Sequence, residues 1–190
     1  VTRHLSNAGV RPALPALAAA LLDSGEMGDR AALESALAEA ANAAGGKAAF
    51  KVDGLLDGLV RDRLLVEFTS GHFAFVHPHL TSYLASETLL EPGSERATNL
   101  ALEPAWHGAL GFAAPKINIL PVIYRKLSVP PDLTYSSLFD LVAWLPDAPA
   151  DAPWRGDIFT RLAKALLAPD QYLTVRARAG GADRLARQER

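Results

Sequence analysis

The sequence predicts a mainly α-helical chain with one β-hairpin, and three observations support this fold class. Apolar residues recur at helical spacing through most of the 190 residues. Two short β-type runs, residues 65–68 and 72–76, flank the polar segment 69–71, whose glycine is typical of a hairpin tip. Proline-marked turns separate the helical segments of the second half.

The first half of the chain predicts four helices around this hairpin. Asp29 suits the N-cap of the second helix, and Pro78 suits the first turn of the fourth. A helix, a two-stranded wing and a further helix form the back half of a winged-helix domain, so we expect that fold over residues 1–92. The four helices are predicted at residues 12–22, 30–44, 51–63 and 78–89.

The second half predicts a short α-solenoid over residues 93–190. The segment Glu-Pro-Gly-Ser at residues 91–94 is a strong break, which places the domain boundary at residue 92. Beyond it, helices of roughly 10–15 residues joined by short turns indicate stacked helix pairs. These helices are predicted at residues 97–111 (interrupted near Pro104), 117–127, 133–145, 157–167 and 173–187.

The composition is that of a globular protein, with 49% hydrophobic and 21% charged residues. The absence of cysteine excludes a disulfide framework, a thiolate nucleophile and a thiolate metal site, and favours a cytoplasmic location. The longest apolar stretch, residues 13–22, is too short to span a bilayer. Because the chain starts at Val1 and ends on a charged tail, we expect it to be part of a longer protein.

Residues 73–78, Phe-Ala-Phe-Val-His-Pro, with Leu80 and the Tyr-Leu-Ala of residues 83–85, resemble a known family motif. It closes the winged-helix domain of NACHT-type ATPases, signal-transduction ATPases with numerous domains that include the NOD-like receptors. The resemblance covers about residues 50–90 of this chain. Two positions depart from it, since Ser82 stands where Glu is usual and Leu80 where Phe is common.

A second resemblance lies near the end of the chain. Asp170, Val175 and Arg176 are similar to the Asp-x4-Val-Arg pattern in the second helix of a HEAT repeat. HEAT repeats often follow NACHT modules in bacterial proteins. This resemblance implies that the helical region consists of HEAT-like helix pairs.

The NACHT resemblance gives His77 a role in nucleotide sensing. It implies that His77 contacts the β-phosphate of ADP bound to an upstream nucleotide-binding domain, and so holds the winged helix in a closed, inactive state. This contact exists only in the full-length protein, whose cofactors would be ATP or ADP with Mg²⁺. The alternative is that His77 simply caps the helix that begins at Pro78.

No catalytic site is predicted in the chain itself. Residues 41–48, Ala-Asn-Ala-Ala-Gly-Gly-Lys-Ala, superficially match a P-loop. However, Ala41 replaces the first glycine, and Ala48 replaces the Ser or Thr that binds Mg²⁺. We therefore expect neither ATP hydrolysis nor a bound cofactor in this chain.

The histidines and serine near the hairpin predict neither a metal site nor a catalytic site. His72, His77 and His79 lack the further ligands that a tetrahedral zinc site needs. Ser70 and His72 with a nearby carboxylate would form a triad at a flexible, wet hairpin tip without an oxyanion hole. The three tryptophans are expected in the core or in packing between repeats, because no interleaved basic residues suggest a nucleic-acid platform.

Two functions follow from the predicted fold. The leading hypothesis is a non-catalytic regulatory and scaffold part of a NACHT-type signalling ATPase, with the upstream nucleotide-binding domain and a protein partner or sensor as partners. The alternative is a winged-helix DNA-binding transcriptional regulator; a hydrolase with unrecognised residues ranks third. Residues 1–92 carry 7 basic and 11 acidic residues, and the wing has no Arg or Lys, so nucleic-acid binding is disfavoured.

Overall fold

The computed structural model shows a mainly helical chain with a small three-stranded antiparallel sheet. The chain separates into two compact units, Val1–Ile117 and Asn118–Arg190. No helix in the described part of the chain is both long and apolar enough to cross a membrane. The residues described are 13–43, 54–91, 95–131 and 134–167.

The first unit contains the predicted hairpin and a helix at each of the four predicted positions. Its elements up to residue 89 are α1 (Ala13–Asp23), β1 (Gly28–Asp29), α2 (Arg30–Ala43), α3 (Leu55–Arg61), β2 (Leu65–Glu67), β3 (His72–Phe75), α4 (Pro78–Ser86) and a 3-10 turn (Glu87–Leu89). After residue 94 follow α5 (Arg96–Asn99), a 3-10 turn (Pro104–Trp106) and α6 (His107–Ala113).

The sheet has one strand more than the hairpin. Its order is β1-β3-β2, with Gly28 opposite Phe73 and Leu65 opposite Phe75. The sequence did not predict β1, because two residues cannot display an alternating pattern. Gly28 leaves room for the core beneath it, since a Cβ at this position would lie 2.8 Å from Cδ2 of Leu33.

The core of the first unit is built around α1. This helix buries Leu14, Leu17 and Leu21 completely or nearly so, and it packs against α2 and α4. Helix α4 also packs against α6. The predicted capping role of Asp29 is confirmed, because its Oδ1 accepts a 2.8 Å hydrogen bond from the backbone N–H of Ala32.

The first unit extends past the predicted boundary at residue 92. Helix α6 packs on α4, and the 3-10 turn before it contacts α1, where Nε1 of Trp106 donates a hydrogen bond to Asp23. The break at residues 92–94 lies outside the described residues. The assignment of two domains at residues 1–92 and 93–190 stays a prediction, although the compact units divide at Ile117.

The second unit contains α7 (Leu120–Ser128), α8 (Ser136–Ala143) and α9 (Trp154–Leu167), which match three predicted helices. Within it, α8 contacts both α7 and α9. The buried side chains of this unit include Ile123, Leu141 and Ile158. The predicted helix 173–187 and the HEAT-like residues Asp170, Val175 and Arg176 lie outside the described residues, so the α-solenoid stays a prediction.

Candidate functional site

His77 lies where the hairpin ends and α4 begins. The last strand, β3, buries Phe73 and Phe75 and so fixes the path of the chain toward this point. The backbone of His77 is extended, with φ −139° and ψ 126°, and Pro78 starts the helix at its first position. A proline there needs no intrahelical N–H partner, which explains why the helix begins at this residue.

The imidazole of His77 caps α4. Its Nδ1 accepts a 3.3 Å hydrogen bond from the backbone N–H of His79, one of the amides that has no partner within the helix. Since Nδ1 is the acceptor, the hydrogen of a neutral ring resides on Nε2. The cap therefore selects the tautomer that presents a donor at the far end of the ring.

The ring of His77 is accessible. The residue is exposed, and its only ring neighbour in the described chain is His79, stacked at 5.2 Å between centroids. An exposed N–H donor at a helix N-terminus suits an anionic partner, because the helix dipole favours negative charge there. Capping uses Nδ1 and a phosphate contact would use Nε2, so the geometry is compatible with both roles considered from the sequence.

The described residues contain no group of three or more His, Cys, Asp or Glu side chains that could hold a metal ion. Ser70 and His72 do meet at the hairpin tip, where Nδ1 of His72 lies 3.1 Å from both Oγ and the carbonyl oxygen of Ser70. This pair closes the turn locally. Asp29 is opposite His72 in the sheet, but its carboxylate caps α2.

A cluster of charges joins α2, α3 and the hairpin. Arg30 donates a 2.8 Å hydrogen bond to Asp57, and its guanidinium lies 3.6 Å from Glu34 and 3.9 Å from Glu67. The hydrogen bond to Asp57 raises the pKa of Arg30 above its usual value, so the group stays charged. One cation among three carboxylates makes this surface acidic.

The three tryptophans are core residues, as predicted. Trp106, Trp144 and Trp154 are each exposed by 5% or less, so none offers a stacking surface. Residues 44–48 of the P-loop-like segment lie outside the described residues.

Sequence reasoning missed two features that require the folded chain. One is the contact of Asp23 with Trp106, separated by 83 positions, for which no local pattern exists. The other is the close approach of Ser82 to Gly108, where a Cβ on the glycine would lie 2.6 Å from the serine hydroxyl. Ser82 is one of the two departures from the family motif, and its small size fits this contact.

Comparison of the chain with protein-family models, curated proteins and solved structures found no match. The case for a function therefore depends on the fold and on the geometry of His77.

Proposed function

We propose that this chain is a non-catalytic regulatory part of a NACHT-type signalling ATPase, in which a winged helix reports nucleotide state through His77. The element order of the first unit supports the winged helix: helix, strand, helix, helix and two strands, with sheet order β1-β3-β2. That order is the one expected of a winged helix, and it includes a strand that the sequence motif did not require.

The observation that carries the proposal is the presentation of His77. Its Nδ1 is used by the helix cap, its Nε2 hydrogen points away from that bond, and the residue is exposed. ADP on an adjoining nucleotide domain would receive a hydrogen bond from this ring. ADP and Mg²⁺ would be held by that upstream domain, and this chain supplies the sensing contact alone.

The second unit would link the winged helix to a sensor or a protein partner. Its helices pack in sequence order, α7 on α8 and α8 on α9, as expected of helix pairs in a solenoid. The reading frame upstream of Val1 is expected to encode a P-loop and an acidic Mg²⁺-binding strand. Absence of both would contradict the proposal.

The experiment separates capping from sensing by substituting His77 in the full-length parent. His77→Asn keeps a side-chain acceptor for the N-cap but removes the imidazole, whereas His77→Ala removes both. A hydrogen bond to a charged phosphate contributes roughly 1.5–3 kcal/mol, so both variants should weaken ADP binding by on the order of ten- to a hundred-fold. Only the alanine variant should also lose thermal stability, by about 0.5–2 kcal/mol.

His79→Phe is the matched control, because the cap uses only the backbone N–H of that residue and a phenyl ring can keep the stacking on His77. This variant should keep both the ADP dissociation constant and the melting temperature. If the folded His77→Asn parent binds ADP as tightly as the wild type, His77 is only a helix cap and the sensing role is wrong.

DNA binding by the first unit is the competing function, and its charges disfavour it. Helix α3 holds the position of the recognition helix, and its Asp57 is exposed and paired with Arg30. Glu34 and Glu67 also lie 3.6 Å and 3.9 Å from the Arg30 guanidinium. Phosphate attraction normally provides much of a DNA-binding protein's affinity, and it is opposed here. Sub-micromolar binding of duplex DNA with a steep salt dependence would favour the competing function over the proposed one.

A further inference from the structure

The second unit has a partly open cavity of about 250 Å³ that the proposed function does not use. Its described lining residues come from α7, from positions 129, 131 and 135, from α8 and from α9. Its walls include the apolar side chains of Leu127, Val129 and Leu138. The volume is slightly below the usual range for ligand pockets, about 300–1,000 Å³, and suits a small organic molecule.

Three cations line this cavity: Lys126 from α7, and Arg161 and Lys164 from α9. Arg161 and Lys164 are three positions apart and therefore lie on one face of the helix. Both are exposed, and neither forms an ion pair within the described residues. No Asp or Glu is among the described residues that line the cavity.

Two carboxylates face these cations from outside the cavity. Asp140 on α8 has its Oδ2 4.0 Å from Nζ of Lys126 and is 40% exposed. Asp157 lines the neighbouring groove with Arg161 and Lys164, and there it accepts a 3.3 Å hydrogen bond from the hydroxyl of Tyr124. With three cations at the wall and these two carboxylates outside it, the charged groups around the cavity still have a net positive charge.

Lys126 is the unusual member of this group. Its side chain is only 6% exposed, and its ammonium lies 5.9 Å from the centroid of the Trp144 ring. Burying an ammonium is costly unless it is paired, and burial here lowers its pKa while Asp140 opposes that effect. A negatively charged group in the cavity within reach of Nζ would add to the compensation that Asp140 gives at 4.0 Å.

Tyr135 is a polar residue of the cavity wall with an unfavourable backbone conformation. It lines the cavity and precedes α8 with a φ of 52°, a left-handed conformation that is unfavourable for a bulky side chain. Such conformations persist only when the surrounding structure enforces them, and they are enriched at ligand sites. Ser137 also lines the cavity, so two lining residues carry a hydroxyl group.

We propose that this cavity binds a small organic anion, with a carboxylate or phosphate head held by Lys126, Arg161 and Lys164 and an apolar body against Leu127, Val129 and Leu138. Charge-assisted hydrogen bonds select the head, and the apolar wall selects the body. The site is independent of His77 and of the identity of the upstream domain.

The test titrates the full chain by calorimetry with three probes of similar shape: phenyl phosphate, phenylacetate and neutral 2-phenylethanol. Saturable binding of one or both anions, weakening as salt rises, is the expected result, and the two anions distinguish a phosphate from a carboxylate head. The alcohol should bind at least about tenfold more weakly than the preferred anion, because it lacks the charged head.

The double variant Arg161→Gln/Lys164→Gln should weaken anion binding by on the order of tenfold or more, without changing the melting temperature, since both side chains lie on an exposed helix face. Arg125→Gln is the matched control, because Arg125 is an exposed cation of α7 that does not line the cavity. The proposal would be overturned if the double variant bound the anions as tightly as the wild type, or if the neutral alcohol bound as tightly as the anions. It would also be overturned if no anion bound at millimolar concentration.

Discussion

The indole Nε1 of Trp106 donates a 2.8 Å hydrogen bond to Oδ1 of Asp23, joining the end of α1 to the turn that precedes α6. The guanidinium of Arg96 lies 5.2 Å from the Trp106 ring centroid and 4.0 Å from Oδ2 of the same carboxylate. Trp106 is only 1% exposed, so its N–H has to be paired within the protein. This contact connects segments on either side of residue 92 into one unit.

Asp23→Ala should destabilise the chain because it leaves the buried indole N–H without its acceptor. The expected loss is about 1–3 kcal/mol in the free energy of unfolding, measured by urea denaturation. Asp23→Asn retains a carbonyl acceptor and should lose clearly less. Equal losses for the two variants would show that the charge of Asp23, and not its hydrogen bond, matters for stability.

A fragment that ends at residue 92 should fold poorly, whereas one that ends at residue 117 should unfold cooperatively. The shorter fragment lacks α6, which covers one side of α4, and lacks Trp106. Exposed apolar surface should therefore bind a hydrophobic dye in the shorter fragment only. Comparable melting transitions for both fragments would favour the domain boundary at residue 92.

Gly108→Ala should destabilise the first unit, although alanine is normally the better helix former. The added Cβ would lie 2.6 Å from Oγ and 3.1 Å from Cβ of Ser82, so the hydroxyl would have to rotate and α4 would have to shift slightly away from α6. Overpacking of this kind costs about 1–3 kcal/mol, more than the roughly 1 kcal/mol gained in helix propensity.

Gly58→Ala on α3 is the matched control, because no atom lies within 4 Å of the position that its added Cβ would occupy. It should raise the melting temperature slightly. Restoration of stability by Ser82→Gly in the Gly108→Ala background would assign the effect to this contact, and stabilisation by Gly108→Ala alone would contradict it.

Lys126 should make stability depend on pH in the alkaline range. Burial lowers its pKa in the folded state below the ordinary 10.5, so the unfolded chain binds this proton more tightly. The folded state therefore gains stability as pH rises from the lowered pKa toward 10.5, and the penalty for the charged group is fully present at lower pH. Lys126→Met should remove this gain in stability with rising pH. The measurement is the free energy of unfolding of wild type and variant, each at neutral and at alkaline pH.

Asp140→Asn should make the charged form of Lys126 less stable, since it removes the carboxylate that favours the charged lysine. At neutral pH this variant should lose about 1 kcal/mol or less, because Asp140 is partly exposed and solvent screens the pair. Identical pH profiles for wild type and Lys126→Met would mean that the ammonium is solvated in the folded protein.

The elements with a local signal could be predicted from the sequence. The hairpin from Leu65 to Phe75 alternates around a glycine, Pro78 and Asp29 mark helix starts, and each of these is where it was expected. Strand β1 could not be predicted, because it exists only through its pairing with β3. The same holds for the cavity beside Lys126, whose lining comes from residues up to 39 positions apart, from Lys126 to Ala165.

For His77, the sequence identified the residue but not its geometry. The resemblance to a family motif suggested a phosphate contact, and the succession of His77 and Pro78 suggested a cap. Only the folded backbone, which brings the His79 amide within 3.3 Å of Nδ1, shows which ring nitrogen each role would use.

The contact between Ser82 and Gly108 has a mechanical consequence. Where these two small residues meet, α4 and α6 have almost no side-chain layer between them that could yield. A movement of α4 toward α6 at this point would therefore have to move α6 as well, because little space is left for the two backbones to approach.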